Sequence, residues 1–153
     1  MNRIIPGILM LVLFAVVIML GAVSVFREAG MPFGLGYVIL CGISFDAIVY
    51  AFCAKCSNKT NCPHVIPGRL AKTMKRANGP YTRIEVTVLI LSLLLIIGIP
   101  QFWIWHSLGQ AAAFWLLTIL AVLLTPCFLC AQCANTFCPL NRRRNAEKGE
   151  IKL

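Results

Sequence analysis

Four long apolar runs, separated by short polar segments, dominate the pattern of the chain. They extend from about Ile4 to Phe26, Leu35 to Cys53, Ile84 to Trp105 and Ala111 to Cys130. Each satisfies the requirement of roughly 17–25 apolar residues for a helix that crosses a bilayer. The first run is also longer than the apolar core of about 7–15 residues in a signal peptide, which favours a retained helix over a cleaved one. The pattern predicts an all-α, polytopic membrane protein with four transmembrane helices.

Composition supports this class. The 153 residues are 59% hydrophobic and only 12% charged, with a mean hydropathy of +0.84. Soluble domains carry about 25% charged residues, so this chain has about half the usual share. Contact with a lipid bilayer is therefore expected along most of the sequence.

Two similar cysteine cassettes follow the second and fourth runs. The first cassette is CAKCSNKTNCP at residues 53–63, and the second is CAQCANTFCP at residues 130–139. With one gap at Lys59, seven of ten aligned positions are identical. Each pair of runs also opens with Arg-Ile, at Arg3 and again at Arg83. The repeat predicts two helical hairpins in the same orientation within one bundle, related by an axis along the membrane normal.

Basic residues predict the orientation of this bundle. Of the 14 Lys and Arg residues, seven lie between the second and third runs, five in the carboxyl-terminal tail and one at Arg3, whereas Arg27 stands alone on the opposite side. By the positive-inside rule, both termini and both cassettes face the cytoplasm, as in a multi-pass protein of the cytoplasmic membrane. Nucleic-acid binding is not predicted, because the basic residues flank membrane helices and lack interleaved aromatic side chains.

The chain is predicted to form a single membrane domain over residues 1–153. Residues 4–66 form the first hairpin with its cassette, 67–80 a basic amphipathic linker, 84–140 the second hairpin with its cassette and 141–153 a basic tail. In the linker, Leu70 and Met74 share one helical face, and Asn78-Gly79-Pro80 ends any helix. We expect a short helix on the inner leaflet, and a solvated basic loop is the alternative.

The repeated thiols point to metal binding. The cytosol keeps cysteines reduced, so a cytosolic cysteine framework is more often metal-binding or catalytic than disulfide-bonded. Cys-x-x-Cys at a helix end places two sulfurs one turn apart, and a third cysteine returns from a short loop before a proline. Small buried cysteines are the alternative, and that alternative suits Cys41. The candidate ligands are Cys53, Cys56, Cys62, His64, Cys127, Cys130, Cys133 and Cys138.

Three ligand arrangements remain open. In the first, His64 completes a Cys₃His zinc set with the thiols of the first cassette. In the second, Cys127 extends the second cassette to C-x₂-C-x₂-C-x₄-C-P, one residue longer than the C-x₂-C-x₂-C-x₃-C-P run of ferredoxins. In the third, the Cys-x-x-Cys pairs of both cassettes share one site.

The two hairpins with their Cys-Pro cassettes resemble the membrane portion of the NapH-type polyferredoxins. The resemblance covers the four apolar runs and the positions Cys53, Cys56, Cys62-Pro63, Cys130, Cys133 and Cys138-Pro139. That family carries C-x₃-C-P and ferredoxin domains, whereas this sequence has C-x₂-C with a separate Cys-Pro and no such domain. The resemblance implies iron–sulfur clusters and electron transfer between the quinone pool and iron–sulfur proteins.

One acidic residue lies inside the second run. An acid in the bilayer costs roughly 2.5–3.5 kcal/mol on insertion scales, usually faces the bundle interior and often marks a functional site. Helical spacing places Asp46, Tyr50 and Cys53 on one face. The column suggests a proton relay formed by Asp46 and Tyr50, and a carboxyl group hydrogen-bonded to another helix for packing is the alternative.

Three functions fit these features. The first is an integral membrane metal-binding protein that acts as an iron–sulfur electron-transfer subunit between the quinone pool and a cytosolic redox partner. The second is a scaffold or anchor stabilised by Zn²⁺, which recruits a protein partner through its basic face. The third is a small transporter of soft metal ions. The sequence has two His and no paired carboxylates within reach, so no hydrolase site and no catalytic residue are predicted.

Overall fold

A computed structural model describes residues 4–59, 62, 64–125, 127, 135 and 138, and these residues form helices and connecting segments without a strand. The all-α prediction is confirmed. Cys130 and Cys133, together with the basic tail, lie outside the described residues. The helices are α1 (Ile4–Ala29), α2 (Met31–Ile48), α3 (Val65–Thr73), α4 (Arg83–Gly98), α5 (Gln101–Ile104) and α6 (Leu108–Leu124), with a π-helical turn at Val49–Cys53 that continues α2.

Within the part of the chain that the structure describes, three helical segments are long and apolar enough to cross a bilayer. They are Ile5–Ala29, Met31–Cys53 and Arg83–Ile104. The fourth predicted span forms the shorter apolar helix Leu108–Leu124, whose 17 residues stand at the lower limit for crossing. The structure thus supports a membrane protein with three spans by length and composition, and the fourth span stays a prediction.

The helices pack with one pair at the centre of the bundle. α1 packs against α2, α5 and α6, and α2 packs against α4. Among the described residues, α4 and α6 make few or no direct contacts with each other. The central pair is therefore α1 with α2, flanked by α4 on one side and α6 on the other. The repeated-hairpin arrangement remains a prediction.

Two clusters of buried side chains form the bundle core between the helices. One cluster joins α1, α2 and α4, and its buried members are Ala22, Val25, Tyr37, Cys41 and Ile96. The other joins α1, α5 and α6 through Val17, Ile104, Ala111 and Phe114. Cys41 is 5% exposed within the first cluster, in agreement with the packing role predicted for it.

Pro100 interrupts the third apolar run between α4 and α5. Proline has no N–H, so the carbonyl four residues earlier, on Ile96, loses its helical donor. The buried Tyr37 hydroxyl donates to the Ile96 oxygen at 2.8 Å and replaces that donor. An ideal Cβ at Gly21 would stand 2.8 Å from the same hydroxyl oxygen, so the absence of a side chain there lets α1 approach this contact.

The turn between α1 and α2 consists of one residue. Gly30 adopts φ 87°, the only positive φ among the described residues, and glycine populates this region at little cost. The helix restarts at Met31 with Pro32 in its first turn, where a missing N–H is tolerated. This turn and the segment between α5 and α6 mark one end of the bundle, here termed the far end. The opposite end carries the cassettes and is termed the cassette end.

Candidate functional site

The first cassette begins on a π-helical turn. Residues Val49–Cys53 form this turn, and the Ala54 N–H donates to the Val49 oxygen at 2.8 Å, five residues back. Single π-helical turns of this kind often occur at functional sites. A π-helical turn has more residues per turn than an α-helix. The α-helical spacing that places Asp46, Tyr50 and Cys53 on one face therefore no longer applies near Cys53.

Side chains from distant segments satisfy the carbonyl groups at this helix end. The last carbonyls of a helix have no intrahelical donor. The Arg76 guanidinium donates to the Tyr50 oxygen at 2.7 Å, the Tyr81 hydroxyl to the Phe52 oxygen at 3.3 Å, and the Lys59 ammonium to the Ala54 oxygen at 3.2 Å. Two of these donors are cations, which the negative end of the helix dipole favours.

Glu85 forms ion pairs with two cationic side chains at the cassette end. Both oxygens of its carboxylate accept from the Lys55 ammonium at 2.9 Å, and one also accepts from the Arg76 guanidinium. The Thr82 N–H donates to the other at 2.6 Å, and the Thr82 hydroxyl accepts in return from the Glu85 N–H, which forms a capping box. The Glu85 side chain is only 7% exposed. One residue thus starts α4 and connects it to the first cassette.

The sequence pattern around Glu85 does not reveal its contacts with two cations. The pattern Thr82-x-x-Glu85 before an apolar run is the sequence signature of a capping box. That pattern indicates the start of a helix. It contains no information about the two cations, which come from residues nine and thirty positions away.

Asn135 of the second cassette joins the two cassettes. Its amide donates to the Cys56 sulfur at 3.2 Å and to the Tyr81 hydroxyl oxygen at 3.2 Å. Its carbonyl oxygen accepts from the Ser57 hydroxyl at 3.1 Å. Asn135 is 1% exposed, so these bonds form in a site sheltered from water. The two cassettes therefore meet at one end of the bundle.

Four thiols gather around this junction. Cys53 lies close enough to Cys62 and Cys138 to interact electrostatically with both, and Tyr81 interacts in the same way with Cys56 and Cys138. Cys138 is buried, and the other three are half-buried. Cysteines from both cassettes thus share one sheltered region with the Tyr81 ring.

Tyr81 covers one side of the junction. Its ring stacks on Phe52 with centroids 4.3 Å apart and an interplanar angle of 17°. Burial raises the pKa of the Tyr81 hydroxyl, and the neighbouring Cys56 and Cys138 thiols raise that pKa further. The hydroxyl therefore stays protonated at neutral pH and remains available as a donor.

α3 covers another side of the junction. It packs on the π-helical turn through Ala71, with Leu70 and Met74 against the same cluster. An ideal Cβ at Gly68 would lie 3.0 Å from the Cys62 Cβ, so a glycine here lets Cys62 approach the helix backbone. The predicted linker helix is thus present, although it begins at Val65 and ends at Thr73, ahead of the Asn78-Gly79-Pro80 stop.

The predicted ligands outside this group have separate positions. His64 is half-buried at the N-cap of α3, where burial lowers the pKa of its imidazole. Cys127 is exposed beyond the end of α6. Cys130 and Cys133 lie outside the described residues, so the ligand sets that include them stay predictions.

The donor chemistry at the junction fits a thiolate-bound metal in part. Thiolates are the ligands of zinc and of iron–sulfur clusters, and an amide N–H to sulfur bond is a typical outer-shell interaction of such ligands. Within the part of the chain that the structure describes, however, no three His, Cys, Asp or Glu side chains form a group that could hold a metal ion. The thiols at the junction are of the type that binds zinc or an iron–sulfur cluster. The described residues alone, however, do not form a complete ligand set.

Asp46 and Tyr50, the predicted proton relay, lie on the outside of the bundle. Both are exposed, whereas Cys53 is half-buried and packs against the cluster under α3. The Arg76 guanidinium stands over the Tyr50 ring, 4.8 Å from its centroid. The outward position of Asp46 differs from the interior position that is usual for an intramembrane acid.

Comparison with known proteins gives no relative for this arrangement. No model of a protein family matches the chain, and no curated protein and no solved structure matches it.

Proposed function

We propose that this protein is an integral membrane metal-binding protein whose two cassettes form one shared thiolate centre. The observation that most directly supports this proposal is the set of hydrogen bonds made by the Asn135 side chain. Its amide donates to the Cys56 sulfur at 3.2 Å, and its oxygen accepts from the Ser57 hydroxyl. This contact brings the second cassette to the first, although the two residues lie 79 positions apart.

The surroundings of the thiols support this proposal. The junction is sheltered by the Tyr81 ring and by α3, and the ion pairs of Glu85 hold the ends of α2 and α4 together nearby. Hydrogen bonds to sulfur and a low-dielectric environment are two of the features that tune a thiolate-bound metal. The contacts made at the cassette end would give such a centre a fixed outer shell.

The ligands of the centre are proposed from both cassettes. A cluster takes four cysteine ligands, and the candidates are Cys53, Cys56, Cys62 and Cys138 at the junction together with Cys130 and Cys133 of the second cassette. The group we assign is an iron–sulfur cluster, which supplies one-electron transfer when it is bound. In that role the chain orients its sulfurs through Asn135 and excludes water with Tyr81 and Phe52.

The wider setting follows from the resemblance and the charge pattern. The cassette end faces the cytoplasm, since the basic residues cluster there, and a cluster held there would pass electrons between membrane quinone and a cytosolic redox protein. Reporter fusions within residues 69–76 should then behave as internal and fusions within residues 107–110 as external. The opposite result would overturn both the orientation and the cytosolic partner.

A structural zinc centre is the second candidate. Structural zinc sites are closed and fully coordinated by protein, and the closure of the junction by α3 and Tyr81 favours such a site. In this case the metal would lock the two cassettes together, and the protein would serve as a membrane anchor for a partner bound to the basic face.

Anaerobic purification followed by element analysis and visible absorption tests the proposal. Iron with acid-labile sulfide and a coloured protein are expected for the cluster, and zinc on a colourless protein would replace the cluster with the structural centre. Cys56→Ser should lose most of the bound metal in either case. A wild-type protein that contains neither metal would overturn the thiolate centre itself.

A further inference from the structure

The short helix α3 has two different faces. Gly68 and Ala71 are buried on the side of the first cassette, and Ala71 is completely buried. Ile66, Arg69 and Thr73 follow one another at intervals of three and four residues, so they share the opposite face. All three are exposed. One face thus holds α3 against the cassette, and the other is open.

α3 lies beside the end of α2 and its π-helical turn rather than beyond it. Ala71 belongs to a buried cluster with Val49, and Phe45 packs against the same cluster. Phe45 comes eight residues before the end of the π-helical turn, or about 12 Å along the axis. After α3, the Arg76 guanidinium also returns to this segment and stands over the exposed ring of Tyr50. Since the apolar span ends with this turn, the contacts place α3 at the depth of the lipid headgroups.

The cations around α3 have too few carboxylates to balance them. Between Asp46 and Glu85 the sequence contains seven Lys and Arg residues and no acid. The Glu85 carboxylate is already paired with Lys55 and Arg76, and its side chain is 7% exposed. The exposed cations on and next to α3 that form no ion pair with the other described residues are Arg69, Lys72 and Lys75. A surface of uncompensated positive charge therefore lies at the membrane interface.

We propose that the open face of α3, with Arg69 and Lys72, binds the headgroups of anionic phospholipids, and that this attraction holds α3 closed over the thiols. Phosphate oxygens are the acceptors that guanidinium and ammonium groups bind. The exposed Ile66 supplies an apolar contact of the kind that interfacial helices make with lipid.

The opposite face of the same helix shelters the junction, because Gly68 lets Cys62 approach the helix backbone. The surface charge of the membrane then controls how often α3 leaves the thiols. The inference goes beyond the thiolate centre and does not depend on it, since it concerns the contacts of α3 whether or not the thiols hold a metal.

Hydrogen exchange of α3 in vesicles of two compositions tests this proposal. The purified full chain is reconstituted in neutral phosphatidylcholine or in the same lipid mixed with anionic phosphatidylglycerol, and mass spectrometry follows deuterium uptake in peptides that cover residues 65–73. Uptake should be slower in the anionic vesicles by about fivefold for each charge in contact, the factor that corresponds to about 1 kcal/mol per basic residue near an anionic surface. Salt at about 1 M shortens the Debye length to about 3 Å and should remove most of this difference. Peptides from residues 101–115, which contain no Lys or Arg, are the internal reference.

A matched pair of variants separates charge from fold. Arg69→Gln with Lys72→Gln should lose most of the difference between the two vesicles, whereas Arg69→Lys with Lys72→Arg keeps both charges and should retain it. Neither pair removes an ion pair or a core contact among the described residues, so both proteins should fold.

Three outcomes would overturn the proposal. Equal uptake in the two vesicles would leave the basic face for an acidic protein partner. A lipid effect of full size in the Gln pair would place the lipid contact elsewhere on the chain. Equal slowing by soluble glycerol phosphate in neutral vesicles would replace the membrane surface with a free anion as the ligand.

Discussion

The two ends of the bundle are stabilised by different kinds of interaction. At the far end, helices approach through small residues, and one buried hydroxyl, on Tyr37, serves a carbonyl that Pro100 leaves without a donor. At the cassette end, charged and amide side chains connect segments that lie 9 to 79 residues apart. The far end is thus organised by packing around its turns, as in many membrane bundles. The cassette end depends on long-range polar contacts that also enclose the thiols.

This difference predicts that substitutions at the cassette end have larger effects and act on the site as well as on stability. The largest effect is expected for Glu85→Ala, which leaves Lys55 and Arg76 without their shared carboxylate and removes the capping box of α4. We expect a loss of about 3 kcal/mol in the free energy of unfolding, at the low end for a broken buried ion pair because Arg76 keeps 27% exposure. Denaturant titration in micelles measures this loss.

Glu28→Ala is the matched control for Glu85. Glu28 is exposed near the far end of α1, and the described residues contain no ion pair to it. Its removal should change the free energy of unfolding by less than about 0.5 kcal/mol. Equal losses from the two variants would mean that the charge network at the cassette end contributes no special stability.

Much of the fold could be predicted from the apolar runs, because burial in lipid is a property of continuous sequence. The predicted ends of the runs lie within a few residues of the observed ends for α1 and for the segment Arg83–Ile104, which α4 and α5 form together. The break at Pro100 and the π-helical turn were not predicted. Proline is tolerated within a membrane helix where another group satisfies the carbonyl that it leaves without a donor. In this structure that group is the Tyr37 hydroxyl, 59 residues away.

The residue types of the candidate site and the meeting of its two cassettes could be predicted, whereas the contacts that surround the thiols could not. The cassettes identified the thiols, and their meeting at Asn135 followed the expectation from the repeat. The outward position of Asp46 and the ion pairs of Glu85 with two distant cations could not be predicted. Both depend on which helix faces which, and the packing of α2 between α1 and α4 is a tertiary property.

Asn135→Ala should have the next largest effect and should act on the thiols. It removes the buried amide that donates to Cys56 and to Tyr81, together with the oxygen that accepts from the Ser57 hydroxyl. We expect a loss of about 1–3 kcal/mol in stability and a several-fold faster alkylation of Cys56 in metal-free protein, measured by mass spectrometry. Asn78→Ala, in the exposed linker, serves as the control. An unchanged alkylation rate for Cys56 would show that Asn135 does not shelter the junction.

Tyr37→Phe tests the far end with a change of one oxygen atom. The variant removes the only donor to the Ile96 oxygen that the described residues supply and keeps the ring in the core. Interhelical hydrogen bonds in membranes contribute about 0.6–2 kcal/mol, so we expect a loss of about 1 kcal/mol with no change in metal content. Tyr50→Phe is the control, because the Tyr50 ring is exposed and its contact with Arg76 involves the ring face. A loss of metal from Tyr37→Phe would remove the distinction between the two ends.

The smallest effect is expected for Cys41→Ala, which separates a packing cysteine from the proposed ligands. Cys41 is buried in the core of α1, α2 and α4 and lies twelve residues before Cys53, or about 18 Å along the helix. Alanine there removes one sulfur atom from a packed core, so we expect a loss of about 1 kcal/mol or less and full metal content by element analysis. Cys56→Ser, measured in the same preparation series, should lose most of the metal at comparable protein yield. If Cys41→Ala and Cys56→Ser lost metal equally, the thiolate centre would not lie at the cassette end, and the contrast between the two ends would concern stability alone.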